Sequence, residues 1–273
     1  MSDASALPNT LYHYSGVDGI RGIIGSKILW ASDWRYARDR TEFSYPRQVL
    51  ARVAERMSAT TTSDAARWVL DTIAGSLARA DSGMPLYVAC LCADGDLTRQ
   101  WSDYAEDSTG FAVGLDRAEL YEVGVQQGYS LGYLIYDESK QEALLEERLT
   151  EAIALVPQYA NVAGSPVDPR LLFGLGITLA LTDIKNPRFS EEHEWRLMWP
   201  QVRIDMSPPV KQRGTPGIPY LEFVLENSKT GRCLITEVVA GPSATPASVD
   251  EMRRLLDRQG LGHVAVRRST LSP

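Results

Sequence analysis

The stretch from Leu11 to Ser32 constrains the fold more than any other. Leu11-Tyr12-His13-Tyr14-Ser15 reads as a strand, Val17 to Ser26 as a helix, and Ile28 to Ala31 as a second strand that carries Trp30. Val17, Ile20, Ile23 and Ile24 recur at helical spacing and give that helix one apolar face. Gly25 is a natural stop, because glycine takes the left-handed conformation without a Cβ clash. The outcome is a strand–helix–strand unit whose first strand sets a histidine between two tyrosines.

Downstream, strands and helices arrive without the regular alternation of a doubly wound sheet. Val49 to Met57 and Ala65 to Ala80 read as helices joined by a Thr60–Asp64 turn with a ready cap, and they hold no evident chemistry. Leu86 to Cys92 is nearly continuously apolar, as in a strand buried on both faces. Leu97 to Ala105 follows as a short helix, then Gly110 to Leu115 as a strand whose glycines imply close approach by another backbone or a ligand. Ser130 to Tyr136 is a strand, and Asp137 caps a long helix to about Tyr159. Asn161 to Pro169 is a loop, and Leu171 to Leu181 is apolar on nearly all sides, as in a buried helix. Trp195, Leu197 and Trp199 alternate with Glu194, Arg196 and Met198, a two-residue period that marks a strand. Pro208 to Pro219 reads as a loop. Tyr220 to Leu225, Leu234 to Ala240 and His263 to Val266 read as strands, with a helix over Ala247 to Gln259. Strands in runs with few crossover helices imply an α+β domain on two packed or split sheets.

Charge and cysteine content narrow the function classes. Net charge is −7 over 273 residues, so bulk electrostatics does not make this a nucleic-acid binder, although a local patch such as Arg35, Arg38 and Arg40 is compatible with a macromolecular partner. Met1 to Asn9 has neither the basic nor the apolar region of a secretory signal, and no apolar run reaches the length of a membrane helix. The 3 cysteines follow no metal or disulfide spacing, which fits a reduced cytoplasm, and Cys90 and Cys92 read as buried small hydrophobes.

Two places hold the candidate chemistry. One is His13 with Tyr14, followed by the charged, aromatic stretch Asp33 to Phe43, which includes Tyr36 and reads either as a loop beside a site or, slightly better on composition alone, as a solvated connection with one or two buried rings. The other is Glu191, Glu192, His193, Glu194 and Arg196 at the entrance of a strand. The plainer readings are a satisfied, partly buried His13 and a solvated Glu194 paired to Arg196, with Trp101 and Tyr104 in the core.

Read in order, these segments resemble DUF2971, a bacterial family of unknown function. The resemblance rests on Leu11 to Tyr14, Leu29 to Ser32, Trp101 and Tyr104 before Gly110, the Glu192, Glu194, Trp195 and Arg196 signature, and Gly241-Pro242. Arg38-Asp39-Arg40 departs from the family pattern, which often has Leu-Asn-Asp. The opening unit is also similar to that of the ADP-ribosyltransferase fold of the His-Tyr-Glu type.

That likeness implies one domain over residues 1–273 with split mixed sheets, surrounding helices and a helical insertion over 44–82. It implies NAD as substrate, with His13 and Glu194 catalytic and His13, Tyr14, Trp30, Tyr36 and Arg196 binding NAD. It implies no metal. The activity implied is ADP-ribosyl transfer or NAD hydrolysis, in a toxin or anti-phage effector, toward an acceptor that one chain does not identify. Which of Glu191, Glu192 and Glu194 is the site acid stays open. The alternative is a non-catalytic module that holds a nucleotide or protein on the same scaffold. The catalytic reading places His13 and Glu194 on adjacent strands facing one cleft.

Overall fold

The computed structural model describes residues 7–37, 41–78, 86–160, 176–177, 179–200, 208–215 and 217–272. In chain order the elements are β1 (Thr10–Ser15), α1 (Val17–Ser26), β2 (Ile28–Asp33), α2 (Thr41–Thr60), α3 (Asp64–Ala78), β3 (Leu86–Cys92), α4 (Thr98–Tyr104), β4 (Phe111–Asp116) and α5 (Arg117–Gln126). They continue with β5 (Ser130–Tyr133), α6 (Glu138–Ala160), β6 (Glu194–Pro200), β7 (Lys211–Arg213), β8 (Ile218–Val224), β9 (Ile235–Ala240), α7 (Pro246–Arg258) and β10 (Ala265–Arg268). Short 3₁₀ turns cover Trp34–Tyr36 and Pro187–Glu192.

The described strands form one mixed sheet in the order β10-β9-β4-β1-β3-β2-β8-β7, with β6 on β3 and β5 on β6. Among the named strands, β9 and β10 run parallel and the other pairs antiparallel. The class is therefore α+β, and a doubly wound parallel sheet is ruled out.

The pairing around β3 places the site. One edge of β3 is covered along its length by β6, from Leu86 opposite Pro200 to Cys92 opposite Glu194. The other edge is shared. β1 meets it only at Tyr12 opposite Cys92, and β2 only at Ser32 opposite Val88 and Asp33 opposite Tyr87. Residues 89–91 pair with neither strand, so the sheet splits there.

Side-chain alternation gives the two faces of the sheet different jobs. One face carries Leu11, Leu29, Leu91, Trp195, Leu197 and Phe223, and α1, α5 and α7 close over the same cluster through Ile20, Ile24, Leu120, Met252 and Leu256. Each fully buried aliphatic side chain there contributes about 1.5–3 kcal/mol of transfer free energy. Tyr14, Cys92, Trp101, Ala112 and Val239 form a separate buried cluster that includes α4. A third cluster joins α2, α3 and α6 to Ile177, Ala180 and Leu181.

The opening unit folds as read, except at its turn. α1 runs through Gly25 to Ser26, and Lys27 takes the left-handed conformation at φ 54°. The glycine expectation for β4 holds at Gly110, where a Cβ would collide with the carbonyl oxygen of Ser15. α5 has no counterpart in the sequence reading, because its apolar residues do not gather into a stripe. Its start is set by Asp116, whose carboxylate accepts from the backbone N–H groups of Ala118 and Glu119. Within the expected 208–219 loop, β7 adds an exposed edge strand. β10 starts two residues later than expected, at Ala265. The loop expected over 161–169 and residues 171–175 and 178 of the expected buried helix lie outside the described residues, as do 79–80 of the helix expected over 65–80. Among the described residues no helix is long and apolar enough to cross a membrane.

Candidate active site

At the split in the sheet lies a recess with a cavity of about 60 Å³. β1 lines it with Tyr12, His13 and Tyr14, and β3 lines it with Cys90 and Leu91. Gln100 and Tyr104 reach it from α4, Glu42 from the first turn of α2, and Glu192 and Glu194 from either side of His193. The recess opens to solvent where Cys90 and Tyr104 are exposed.

His13 fills a gap left by the backbone. Its Nδ1 lies 2.9 Å from the carbonyl oxygen of Cys90, on the stretch of β3 that neither β1 nor β2 pairs. A carbonyl only accepts, so Nδ1 carries the proton and Nε2 of the neutral ring is an acceptor. Nε2 meets no protein partner among the described residues. Burial lowers the imidazole's proton affinity, the Cys90 bond partly restores it, and the nearby Arg213 charge lowers it further.

Beside the cavity lies a network of buried charges. The ammonium of Lys185 is shared by three carboxylates: Glu192 at 2.5 Å, Glu42 at 3.3 Å, and Glu194 in a still shorter contact. Arg196 donates from Nε to Glu194 at 2.7 Å, from Nη2 to Glu42 at 3.2 Å, and from Nη1 to the carbonyl of Thr182 at 3.0 Å. Three carboxylates against two buried cations leave one formal negative charge. At the rim, Arg99 lies 3.6 Å from Glu192 but also bonds Asp103. The Phe189 ring lies against three cations, 5.3 Å from the Lys185 ammonium and 5.0 and 4.4 Å from the Arg99 and Arg188 guanidinium groups.

Local backbone geometry brings these carboxylates together. Asn186 accepts from the N–H of Arg188 to start the 3₁₀ turn, and His193 turns the chain with a left-handed φ of 44°. His193 itself is exposed, while Glu192 and Glu194 on either side of it both reach Lys185. The hydroxyl of Tyr136 accepts from the Glu194 N–H at 3.1 Å and fixes the strand entrance. Burial alone would push the Glu194 carboxyl up, but Arg196 and Lys185 hold it down at about 2. Glu42, with longer contacts to the same cations, is pushed up by its burial.

The expected site residues fare differently. His13 and Glu194 line one cavity, but they are not on adjacent strands: β3 stands between them, pairing with β1 at Cys92 and with β6 along its length. Tyr14 touches the cavity, yet its hydroxyl is committed, donating to the Asp94 carbonyl and accepting from the Leu97 N–H. Its ring packs edge-on against Trp101, 4.7 Å away. Arg196 shares a face with Glu194, as the alternation implied, and supports the carboxylate from within the protein.

Trp30 and Tyr36 do not line the cavity. Trp30 is exposed on the sheet face, stacked 4.6 Å from Tyr220 with the Arg213 guanidinium 5.5 Å from its ring. Tyr36 is exposed at the end of the 3₁₀ turn that follows β2, where Arg35 is paired to the buried Asp33. Arg38 to Arg40 lie outside the described residues.

Four further features depart from the sequence reading. Glu42, in the stretch expected to be a loop, sits on a helix and reaches the cavity. Cys90 is exposed in the recess, while Cys92 is buried as expected. Tyr104 lines the cavity, while its neighbour Trp101 is fully buried. Lys185, a lone lysine before an Asn-Pro turn with no local signal in the sequence, stands at the centre of the three carboxylates.

The model of the family described as a protein of unknown function, DUF2971, matches residues 100–197, from Gln100 of α4 to Leu197 of β6. No curated protein and no solved structure matches the chain. The match takes in Trp101, Tyr104 and the Glu192 to Arg196 signature, and it supports the DUF2971 family for this chain.

Proposed function

We propose that the protein cleaves the bond between nicotinamide and ribose in NAD and passes the ADP-ribosyl group to water or to a macromolecular acceptor. The observation that carries this reading is that His13 of β1 and Glu194 of β6 line one recess at a split in the sheet. An ADP-ribosyltransferase-like fold is part of the proposal, and it rests on that split and on the histidine in the first strand.

The chemistry suits these groups. When the C1′–N1 bond breaks, its electron pair goes to the ring nitrogen, which becomes neutral, and positive charge builds on the sugar. The acceptor then bonds to C1′ and gives up its proton. A carboxylate kept ionised beside the sugar stabilises that charge. The free Nε2 of His13 accepts a hydrogen bond from a ribose hydroxyl.

A second reading has its own observation. Both oxygens of Glu194 are already held, one by Arg196 and one by Lys185, which weakens its field toward a substrate. That arrangement suits a module that binds a nucleotide without cleaving it.

Incubation with NAD, with and without cell extract, followed by chromatography of free nicotinamide separates the two. Release that falls sharply in Glu194→Gln, with the fold verified by near-ultraviolet circular dichroism, supports cleavage. NAD binding without release under either condition supports the module.

A further inference from the structure

Gln100 is a largely buried residue whose side-chain amide has no hydrogen-bond partner among the described residues. It projects from α4, is 8% exposed, and lines the cavity. Its polar atoms are not sealed off by protein, so the amide stays open to the recess and is available to a group that enters it. Glu192 and Glu194 are engaged with Lys185, and the Tyr14 hydroxyl with Asp94 and Leu97, while His13 offers only an acceptor at Nε2.

We infer that Gln100 is a specificity residue that recognises a primary carboxamide inserted into the cavity. A side-chain amide presents one acceptor and two donors side by side, and a carboxamide presents the complementary pair. The surrounding carboxylates disfavour the corresponding acid on charge alone, so the amide is needed to tell a carboxamide from neutral look-alikes. The inference rests on the NAD reading in that nicotinamide would supply the carboxamide, and it names the part of the substrate that enters first.

The test compares NAD with its 3-acetylpyridine analogue, in which a neutral methyl ketone replaces the carboxamide. Wild-type protein is expected to prefer NAD in kcat/KM by at least about tenfold, because the analogue leaves a buried polar group unpaired. In Gln100→Leu that preference should fall to near unity, and Gln100→Met serves as a second variant should the first fail to fold. An unchanged preference in a folded variant overturns the inference and leaves NAD cleavage standing. If NAD is not cleaved at all, ligand-observed NMR with free nicotinamide and 3-acetylpyridine supplies the readout. Nicotinamide binding that depends on Gln100 then upholds the inference while the proposed activity fails. Equal binding of both probes, or of neither, overturns it.

Discussion

The ring of His13 and the carbonyl of Cys90 lie 2.9 Å apart where β1 and β2 part company on the edge of β3. A side chain there takes the place of a ladder hydrogen bond that neither strand supplies. The same bond fixes the tautomer that leaves Nε2 free as an acceptor.

That bond predicts a pH dependence. Burial lowers the His13 pKa below its ordinary 6.5 in the folded state, so unfolding raises it. Its contribution to stability is complete above 6.5 and is lost as pH falls below that value, because the unfolded chain takes up the proton first. Urea titrations between about pH 5 and 8 should show stability falling toward the acid end. In His13→Phe the slope should flatten, and the orphaned Cys90 carbonyl should cost about 1–3 kcal/mol. An unchanged slope would contradict the assignment.

The carboxylates around Lys185 should not be equivalent. Glu194→Gln leaves Lys185 and Arg196 without their closest partner and should cost about 3 kcal/mol, toward the lower end for a broken buried pair because the amide keeps an acceptor. Glu42→Gln removes the carboxylate that burial already pushes toward its neutral form, and should cost less than about 1 kcal/mol. Glu194 also sets an acid limb. Its folded pKa is depressed from 4.5 to about 2, so its stabilisation is present above 4.5 and is lost as pH falls toward 2. Chemical unfolding of the two variants, in parallel and as a function of pH, checks all of this. Equal costs would contradict the network as described.

Asp96 ties the chain's last strand region to α4. Its carboxylate accepts from the Trp101 indole at 2.9 Å, the Ser269 hydroxyl at 2.5 Å, and the Thr270 N–H and hydroxyl at 2.7 and 2.8 Å. These bonds outweigh the effect of its burial and lower its pKa. Asp96→Ala should therefore speed hydrogen exchange at Thr270, where the amide loses its acceptor, while amides in the centre of β4 stay protected. Unchanged exchange at Thr270 would show that the clamp contributes nothing.

The faces of β6 were legible in the sequence because Trp195, Leu197 and Trp199 alternate with Glu194 and Arg196, and a two-residue period survives any tertiary context. The opening unit was legible for the same kind of reason. The convergence of the charges was not. Glu42 and Lys185 are far apart in sequence and meet only because α2 and the Pro187 turn pack at the same corner of the sheet. Cys90 sits in an apolar run that reads as doubly buried. Its exposure follows from two strands failing to cover one edge, which is a property of the pairing and not of the run. Tyr104 and Trp101 are alike in the sequence, and only the orientation of α4 sends one to the cavity and the other to the core.

Cys90 offers the most direct test that NAD occupies the recess. Its thiol is exposed there, while Cys92 and Cys233 are buried. The side chain opens to the recess, but the protein walls around it desolvate the thiolate and, with the nearby Glu194 carboxylate, push the Cys90 thiol well above its ordinary pKa, so its labelling will be slow at neutral pH and should be followed in mildly alkaline buffer. With a small methanethiosulfonate reagent and mass-spectrometric readout, wild-type protein should be labelled at Cys90 first. Saturating NAD should slow that labelling several-fold, and ADP-ribose, which lacks the nicotinamide, should slow it less. Labelling of Cys90 at the same rate with and without NAD would contradict the placement of the substrate at this split in the sheet.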